Sequence, residues 1–75
     1  MIRTVSQREQ SSRRCYEHLR HLLMYGQLAP GIRLGEVEWA ARLKVHRSAL
    51  REAMALLAHE GLLVRGQRGG FFTPV

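Results

Sequence analysis

The sequence has no aspartate, one cysteine (Cys15) and one lysine (Lys44). A single cysteine cannot form an internal disulfide, so nothing indicates an oxidising compartment. No apolar run could span a bilayer, and the N-terminus lacks the apolar core of a signal peptide, which predicts a cytoplasmic protein with no membrane role. No carboxylate pair, nucleophile with its base or phosphate-cradling glycine motif is found, so neither catalysis nor a cofactor is expected.

What the chain has instead is arginine. Eleven of its 12 basic residues are arginine, against 6 acidic residues, and the formal net charge is +6. The planar guanidinium matches phosphate oxygens and guanine edges better than an ammonium does, which favours a nucleic-acid partner. An ordinary solvated basic surface is the alternative. With 75 residues there is room for one small domain and no deep enclosed pocket.

The pattern along the chain changes near residue 12. Residues 1–11 are polar and basic and are predicted to form an N-terminal arm, leaving residues 12–75 as the domain. A first helix is expected to begin at Ser11 or Ser12 and to end at Gly26. Its apolar residues recur at the spacing of one helical face, at Cys15, Leu19, Leu22 and Leu23.

Two further helices are expected in the middle of the chain. After a turn containing Pro30-Gly31 and a short extended piece at 32–34, a second helix fits residues 36–43, with Val37, Ala40, Ala41 and Leu43 as its apolar positions. A three-residue connection at 44–46 leads to a third helix at 47–60, stopped by Gly61. The inward face of that helix is predicted to be Leu50, Ala53, Met54 and Leu57.

The last segment has a shorter period, which predicts a hairpin. Strands are expected at 62–65 and 70–73, joined by the loop 66–69. The predicted fold is therefore mainly α with a small β-hairpin, in the order helix, turn, helix, turn, helix, hairpin.

The start of the third helix carries the functional signal. Two helices joined by a three-residue turn can place the second one in a major groove, N-terminus first. Arg47 and Arg51 lie four residues apart and share a face, and Ser48 lies between them. Arginine is unfavourable beside the positive end of a helix dipole, so an anion is expected there. In the hairpin loop, Arg68 beside Gly69 fits a protruding reader of a narrow minor groove, with a plain flexible loop as the alternative.

Four segments, 16–20, 26–34, 45–54 and 56–62, together resemble the N-terminal domain of GntR transcription regulators, in the FadR-like branch. The resemblance runs from about residue 12 to residue 74. It implies a winged helix-turn-helix, with three helices plus a wing, whose third helix reads the major groove and whose wing tip reads the minor groove of double-stranded DNA. By position it assigns base or phosphate contacts to Arg47, Ser48 and Arg51 and the wing contact to Arg68 with Gly69. His46, Arg33 and Arg42 complete the predicted set of DNA-binding residues.

The family also implies partners that lie outside this sequence. Its members continue into a helical effector-binding and dimerising domain and bind a short palindromic operator as homodimers. This chain stops at Val75, so it is expected to be either a fragment of a longer protein, which we favour, or a naturally truncated reader. In either case the isolated domain is expected to bind weakly or as a monomer. It departs from the family pattern in four places: His46 is a poorer N-cap than Ser or Thr, Val37 stands where many relatives have a DNA-contacting Arg, Ala49 replaces Thr or Pro, and the exit at 61–65 is one residue short.

Other features have ordinary explanations. Cys15, His18 and His21 lack the fourth ligand or second cluster that zinc needs, so no metal is predicted and Cys15 is expected in the core. Trp39, Tyr16, Tyr25, Phe71 and Phe72 are expected to pack in the core or against the hairpin. Two alternatives to DNA binding stay open: a protein-interaction module, suggested by Trp39 and the Phe71-Phe72 pair, and a small basic RNA-binding protein.

Overall fold

The computed structural model describes residues 6–75 and has three helices and a small sheet. The helices are α1 (Gln7–Met24), α2 (Glu36–Leu43) and α3 (Arg47–His59), and the strands are β1 (Arg33–Leu34), β2 (Val64–Arg65) and β3 (Phe71–Phe72). The predicted order of three helices followed by a hairpin is confirmed. The bounds of α2 match the prediction, and α3 ends one residue earlier than expected, with Glu60 as its C-cap.

The first helix begins at Gln7, four or five residues before the expected start. Ser6 has extended backbone, and its Oγ accepts a hydrogen bond from the Glu9 N–H at 3.1 Å, which satisfies one of the unpaired donors of the first turn. The Ser-x-x-Glu spacing is a start signal that precedes the apolar periodicity. Residues 7–11 of the predicted arm are therefore helical, and residues 1–5 lie outside the described part of the chain.

The core forms where α1, α2 and α3 meet the sheet. The whole predicted inward face of α3 is buried, and the predicted burial of Cys15, Leu19 and Trp39 is confirmed. Burial raises the pKa of the Cys15 thiol, because the thiolate loses its hydration. The buried cluster comprises Cys15, Leu19, Leu34, Trp39, Ala40, Leu50, Ala53, Met54, Leu57, Leu63 and Phe71.

Two of the four apolar positions of α2 are exposed, and so is Tyr25, which was expected to pack in the core or against the hairpin. Val37 and Ala41 lie on the outer side of α2, because an eight-residue helix buries only one narrow face, here Trp39 and Ala40. Tyr25 is also exposed, since it follows the last residue of α1 and its ring rests on His21, with centroids 4.5 Å apart. Tyr16 is half-buried as expected, and its hydroxyl donates to the Glu60 carboxylate at 2.6 Å, which raises the pKa of Tyr16.

The hairpin is part of a three-stranded antiparallel sheet. Strand β3 lies between β1 and β2, so the short extended piece that precedes α2 pairs with the last strand of the chain. Phe72 is opposite both Arg33 and Val64, and Phe71 is opposite both Leu34 and Arg65. The sequence predicted the β2–β3 hairpin but not the β1–β3 pairing, which connects distant segments.

Thr73 fastens the end of β3 to the turn that follows α1. Its hydroxyl donates to the Ala29 carbonyl at 2.6 Å and accepts from the Ile32 N–H at 2.9 Å. Its backbone adds an N–H bond to the Ile32 carbonyl and accepts one from Gly31. Thr73 is thereby buried with its polar groups satisfied, as a buried hydroxyl requires.

Within residues 6–75, no helix is long and apolar enough to cross a membrane. In the same range, no three His, Cys, Asp or Glu side chains come together as a group that could hold a metal ion.

Lys44, the C-cap of α2, has left-handed backbone at φ 57° and ψ 50°, and it is the one non-glycine residue with positive φ in the described chain. This conformation destabilises the folded state by about 1–2 kcal/mol for an L-residue, and glycine adopts it without that strain. Glycine also makes the unfolded chain more flexible, which lowers the free energy of unfolding by about 0.4–1 kcal/mol. Lys44→Gly is therefore expected to raise the free energy of unfolding by about 0.5–1 kcal/mol, measured by urea denaturation. Lys44→Ala removes the same charge but keeps the strain, and equal stability of the two variants would contradict the prediction.

Candidate nucleic-acid interface

The first two turns of α3 separate a buried face from an exposed one. Leu50, Ala53 and Met54 are buried, whereas the side chains of Arg47 and Arg51 are 58% and 56% exposed. Ser48 is exposed beside Arg47. The predicted contact residues at the start of α3 therefore share the outer surface.

His46 precedes α3 with extended backbone, and its side chain makes no capping hydrogen bond, as expected of a poor N-cap. The N-terminal N–H groups of a helix attract anions. Without a side-chain cap, these groups at the start of α3 stay available to an external acceptor. His46 and Ser48 line a shallow hollow with Lys44 and Arg8, between the beginnings of α1 and α3. Arg8 in turn pairs with Glu52 on α3 at 2.5 Å.

Glu36, the first residue of α2, is the acceptor on which the two arginines of α3 converge. Arg51 donates from Nε and Nη2 to the Glu36 carboxylate, with N···O distances of 2.8–3.4 Å. Arg47 Nη2 lies 3.6 Å from the same Oε1. The anion expected at the start of α3 is therefore supplied in part by the protein itself, so the dipole argument alone does not require DNA.

The ion pairs change the titration of both partners. Hydrogen bonds from Arg51, with the charges of Arg51 and Arg47, hold the pKa of the Glu36 carboxyl below its usual value, against the opposing effect of burial. Glu36 raises the pKa of Arg51 in return. Glu36 thus stays ionised, and Arg51 stays charged, throughout the neutral range.

A cleft at the start of α2 connects α3 with the sheet. We call it the arginine cleft; it is lined by Arg33, Gly35, Glu36, Val37, Glu38, Arg47 and Arg51. Arg33 also lies against Gly70 of the hairpin, where an added Cβ would be 2.8 Å from Arg33 Nε. The structure therefore brings Arg33 together with Arg47 and Arg51, and it places Arg33 between α3 and the hairpin.

Arg42 lies apart from the arginine cleft, in the last turn of α2. Its guanidinium lies over the Trp39 ring, 4.4 Å from the centroid, and its Nη2 is 3.8 Å from the Glu38 carboxylate. Its predicted role in DNA binding stays a prediction.

The predicted wing consists of β2, β3 and the loop between them. Its loop closes through a hydrogen bond of 3.0 Å from the Gly66 N–H to the Gly70 carbonyl. Arg68 is exposed in the loop. Gly69 and Gly70 have φ of 93° and 80°, a backbone conformation that would be strained in a residue with a side chain. Arg68 therefore protrudes from a compact loop.

Gly66 is the position in the wing where added bulk should be costliest. A Cβ there would lie 2.6 Å from the Gly69 carbonyl oxygen and 2.6 Å from a Phe72 ring carbon. Gly66→Ala is expected to lower the free energy of unfolding by about 1–3 kcal/mol, as overpacking does, measured by urea denaturation. Gln67→Ala, in the exposed loop, is the control and should be nearly neutral; equal losses would show that the contact at Gly66 is not restrictive.

Two of these features escaped sequence reasoning. The sequence shows Glu36 only as an acidic residue in the first turn of α2, where the helix dipole favours negative charge, because no spacing rule connects it to an arginine 15 residues away on another helix. The requirement for glycine at position 66 depends on a non-local contact with Phe72, which the sequence does not reveal.

Comparison with known proteins places this arrangement among bacterial regulators. Residues 11–73 match the model of the bacterial regulatory proteins of the gntR family. The chain is 41% identical over 56 residues to the uncharacterized HTH-type transcriptional regulator YdhC of Bacillus subtilis, covering 75% of this chain and 25% of that protein. It is 52% identical over 46 residues to the Nta operon transcriptional regulator of Aminobacter aminovorans, covering 61% and 22%.

A solved structure shows the same architecture. The GntR protein of Streptococcus agalactiae superposes with a TM-score of 0.71 at 31% identity, over 84% of this chain and 31% of that one. The present chain thus spans about a quarter of the length of the curated relatives it matches.

Proposed function

This chain belongs to the GntR family of bacterial regulatory proteins, and we propose that it is the DNA-reading domain of a transcription regulator. In this proposal the first two turns of α3 enter the major groove of double-stranded DNA. The wing loop, with Arg68 and Gly69, reaches the adjacent minor groove. Base contacts come from Arg47 and Arg51, and phosphate contacts from His46, Ser48 and Arg33.

The observation that carries the proposal is the exposed arginine surface on a helix whose other face is fixed in the core. Arg47, Arg51 and Arg33 line one cleft, and α3 is held below them by fully buried residues such as Leu50 and Met54. Rigid placement matters because an arginine selects guanine only when its two donors meet O6 and N7 together. A basic surface formed by mobile side chains would bind phosphate without selecting a base.

The wing extends the same surface. Arg33 lies against Gly70 at the base of the wing loop, so positive charge continues from α3 towards Arg68. A narrow minor groove has an enhanced negative potential that attracts an inserted arginine. Arg42, in the last turn of α2, would contact phosphate in this arrangement.

We propose further properties for the whole regulator. The relatives are about three times as long as this chain, and we assign dimerisation and effector binding to the remainder of such a protein. Two copies of this domain would then read a short palindrome, whereas one copy alone binds weakly. The residue runs 45–54 and 56–62 support the FadR-like branch, and a cytoplasmic location follows from a role on bacterial DNA.

The structure removes the observation that suggested a protein-interaction module. Trp39 and Phe71, which suggested it, are buried, and Phe72 is half-buried in the sheet. No apolar platform from these residues is left for a partner. The RNA-binding alternative rests on charge alone and is separated by competition in the experiment below.

The test is selection from a pool of random duplexes by the purified domain, followed by binding of the selected and random duplexes across a salt series. Phosphate contacts set the dependence of affinity on salt, and base contacts set the preference among sequences. We expect enrichment of a short sequence, as a half-site or palindrome, and poor competition by structured RNA. Salt-sensitive binding with no enriched sequence, or equal competition by RNA, would overturn the proposal.

A further inference from the structure

Glu36 places a negative charge in the surface that the proposed function turns towards DNA. Its side chain is only 20% exposed, less than half as much as either arginine it contacts. Anionic side chains facing a phosphate backbone repel it. A favourable charge at a helix start therefore does not by itself explain a carboxylate in this surface. We propose that Glu36 is a positioning residue that makes the arginine cleft selective for base edges over phosphates, an inference that rests on the proposed function.

The geometry of Arg51 supports this role, because Glu36 holds its side chain while leaving donors free for a base. Its Nε and Nη2 atoms are engaged by Glu36, which fixes the plane of the guanidinium. A guanidinium has five N–H donors, so the donors on Nη1 and the second one on Nη2 stay available for another acceptor. A guanine edge needs two donors, so Arg51 can keep Glu36 and bind a base at the same time. Holding the side chain in place before binding lowers the entropy lost on recognition.

The summed charge of Glu36, Arg47 and Arg51 supports the same role. Glu36 is shared by Arg51 and Arg47, at 2.8 Å and 3.6 Å from the same oxygen. The three side chains together have a formal charge of +1, where the arginines alone would have +2. Attraction to phosphate depends on charge and is the same for every sequence, whereas contact with a base depends on the placement of the donors. Glu36 therefore weakens binding to any duplex while leaving the base contact intact.

The chain contains a matched control for this role. Glu38 also lies in the first turn of α2 and lines the same cleft, but its side chain is 66% exposed and its ion pair, at 3.8 Å, is with Arg42. It therefore shares the location of Glu36 without its contacts to Arg47 and Arg51. Glu36→Gln and Glu38→Gln change the net charge of the protein by the same amount. Any difference between these variants then reports the placement of the charge.

The experiment compares both variants with the unsubstituted chain on the selected duplex and on a random duplex of equal length, across a salt series. Glu36→Gln is expected to lower the ratio of specific to random affinity about tenfold, the value of one base contact, and Glu38→Gln to leave it nearly unchanged. The salt dependence on random duplex should steepen by about one to two phosphate contacts for Glu36→Gln relative to Glu38→Gln. Thermal unfolding of each variant checks that the folded fractions are equal at the temperature of the binding measurement. Glu36→Asp keeps the charge and should recover part of the ratio.

Equal ratios and equal salt dependence for Glu36→Gln and Glu38→Gln would overturn the role of Glu36 while leaving DNA reading intact. If the unsubstituted chain prefers no duplex, the proposed function fails and the selectivity role fails with it. The random-duplex comparison then still shows whether Glu36 restrains the arginines. The two failures are therefore distinguishable.

Discussion

Replacing both Arg47 and Arg51 by alanine is expected to abolish sequence preference and to weaken binding to the selected duplex by about 1–3 kcal/mol for each arginine. Both side chains are more than half exposed and line one cleft, so their loss removes contacts without opening the core. The substitution also leaves Glu36 without its two cationic neighbours, and the unpaired carboxylate adds repulsion towards DNA. The measurement is a titration of the selected and random duplexes at fixed salt.

The control for this double variant removes the same charge elsewhere. Arg13 and Arg20 are exposed on α1 and do not line the arginine cleft. Replacing both by alanine should lower the affinity for selected and random duplexes by similar, smaller factors, because only long-range attraction changes. A triple variant that adds Glu36→Gln to the Arg47 and Arg51 changes isolates the repulsive part. Equal behaviour of the two double variants would mean that the placement of arginine on α3 is irrelevant to reading.

Leu57→Ala is expected to lower the free energy of unfolding by about 2–5 kcal/mol, because Leu57 is fully buried and its truncation leaves a cavity. A chain of this size has a total stability of about 4–11 kcal/mol, so this one change removes a large part of it. The loss is measured from urea denaturation followed by circular dichroism at the helix band. Raised temperature should then unfold the variant well before the unsubstituted chain.

The neighbouring residue provides the comparison. Leu56 is 47% exposed on the same helix, so Leu56→Ala makes the same chemical change where water already reaches the side chain. Its effect should be well under that of Leu57→Ala, within about 0.5–1 kcal/mol. Similar losses at the two positions would contradict the assignment of which face of α3 is buried.

Local signals explain which elements could be predicted from the sequence. The bounds of α2 and nearly those of α3 follow from acidic residues at the start of α2, a turn at 44–46 and Gly61 after α3, all within a few residues of the ends they mark. The start of α1 is also marked locally, by Ser6 and Glu9, but this signal lies upstream of the apolar periodicity on which the expected start at Ser11 or Ser12 rests.

The remaining differences are non-local. The pairing of β1 with β3 joins residues 33–34 to residues 71–72, and two-residue strands contain too little pattern to select a partner. The contact of Glu36 with Arg51 depends on the angle between α2 and α3, which no residue spacing encodes. Tyr25 is exposed although it was expected to be packed, because burial depends on which face the neighbouring elements cover. The exposed position of Arg47, Ser48 and Arg51 on α3 could be predicted from the sequence, whereas their contact with Glu36 could not.

The hydrogen bonds of Thr73 have a mechanical consequence. Because this residue joins the end of β3 to residues 29–32 through both its side chain and its backbone, the wing cannot swing independently of β1. The amide protons of Gly31, Ile32 and Thr73 should therefore exchange with solvent as one cooperative unit, more slowly than those in the loop 66–70. A stiff wing fixes the span between its tip and α3. In the proposed function a duplex that contacts both would have to adopt that span, so its affinity would also depend on how easily the base pairs between the two contacts deform.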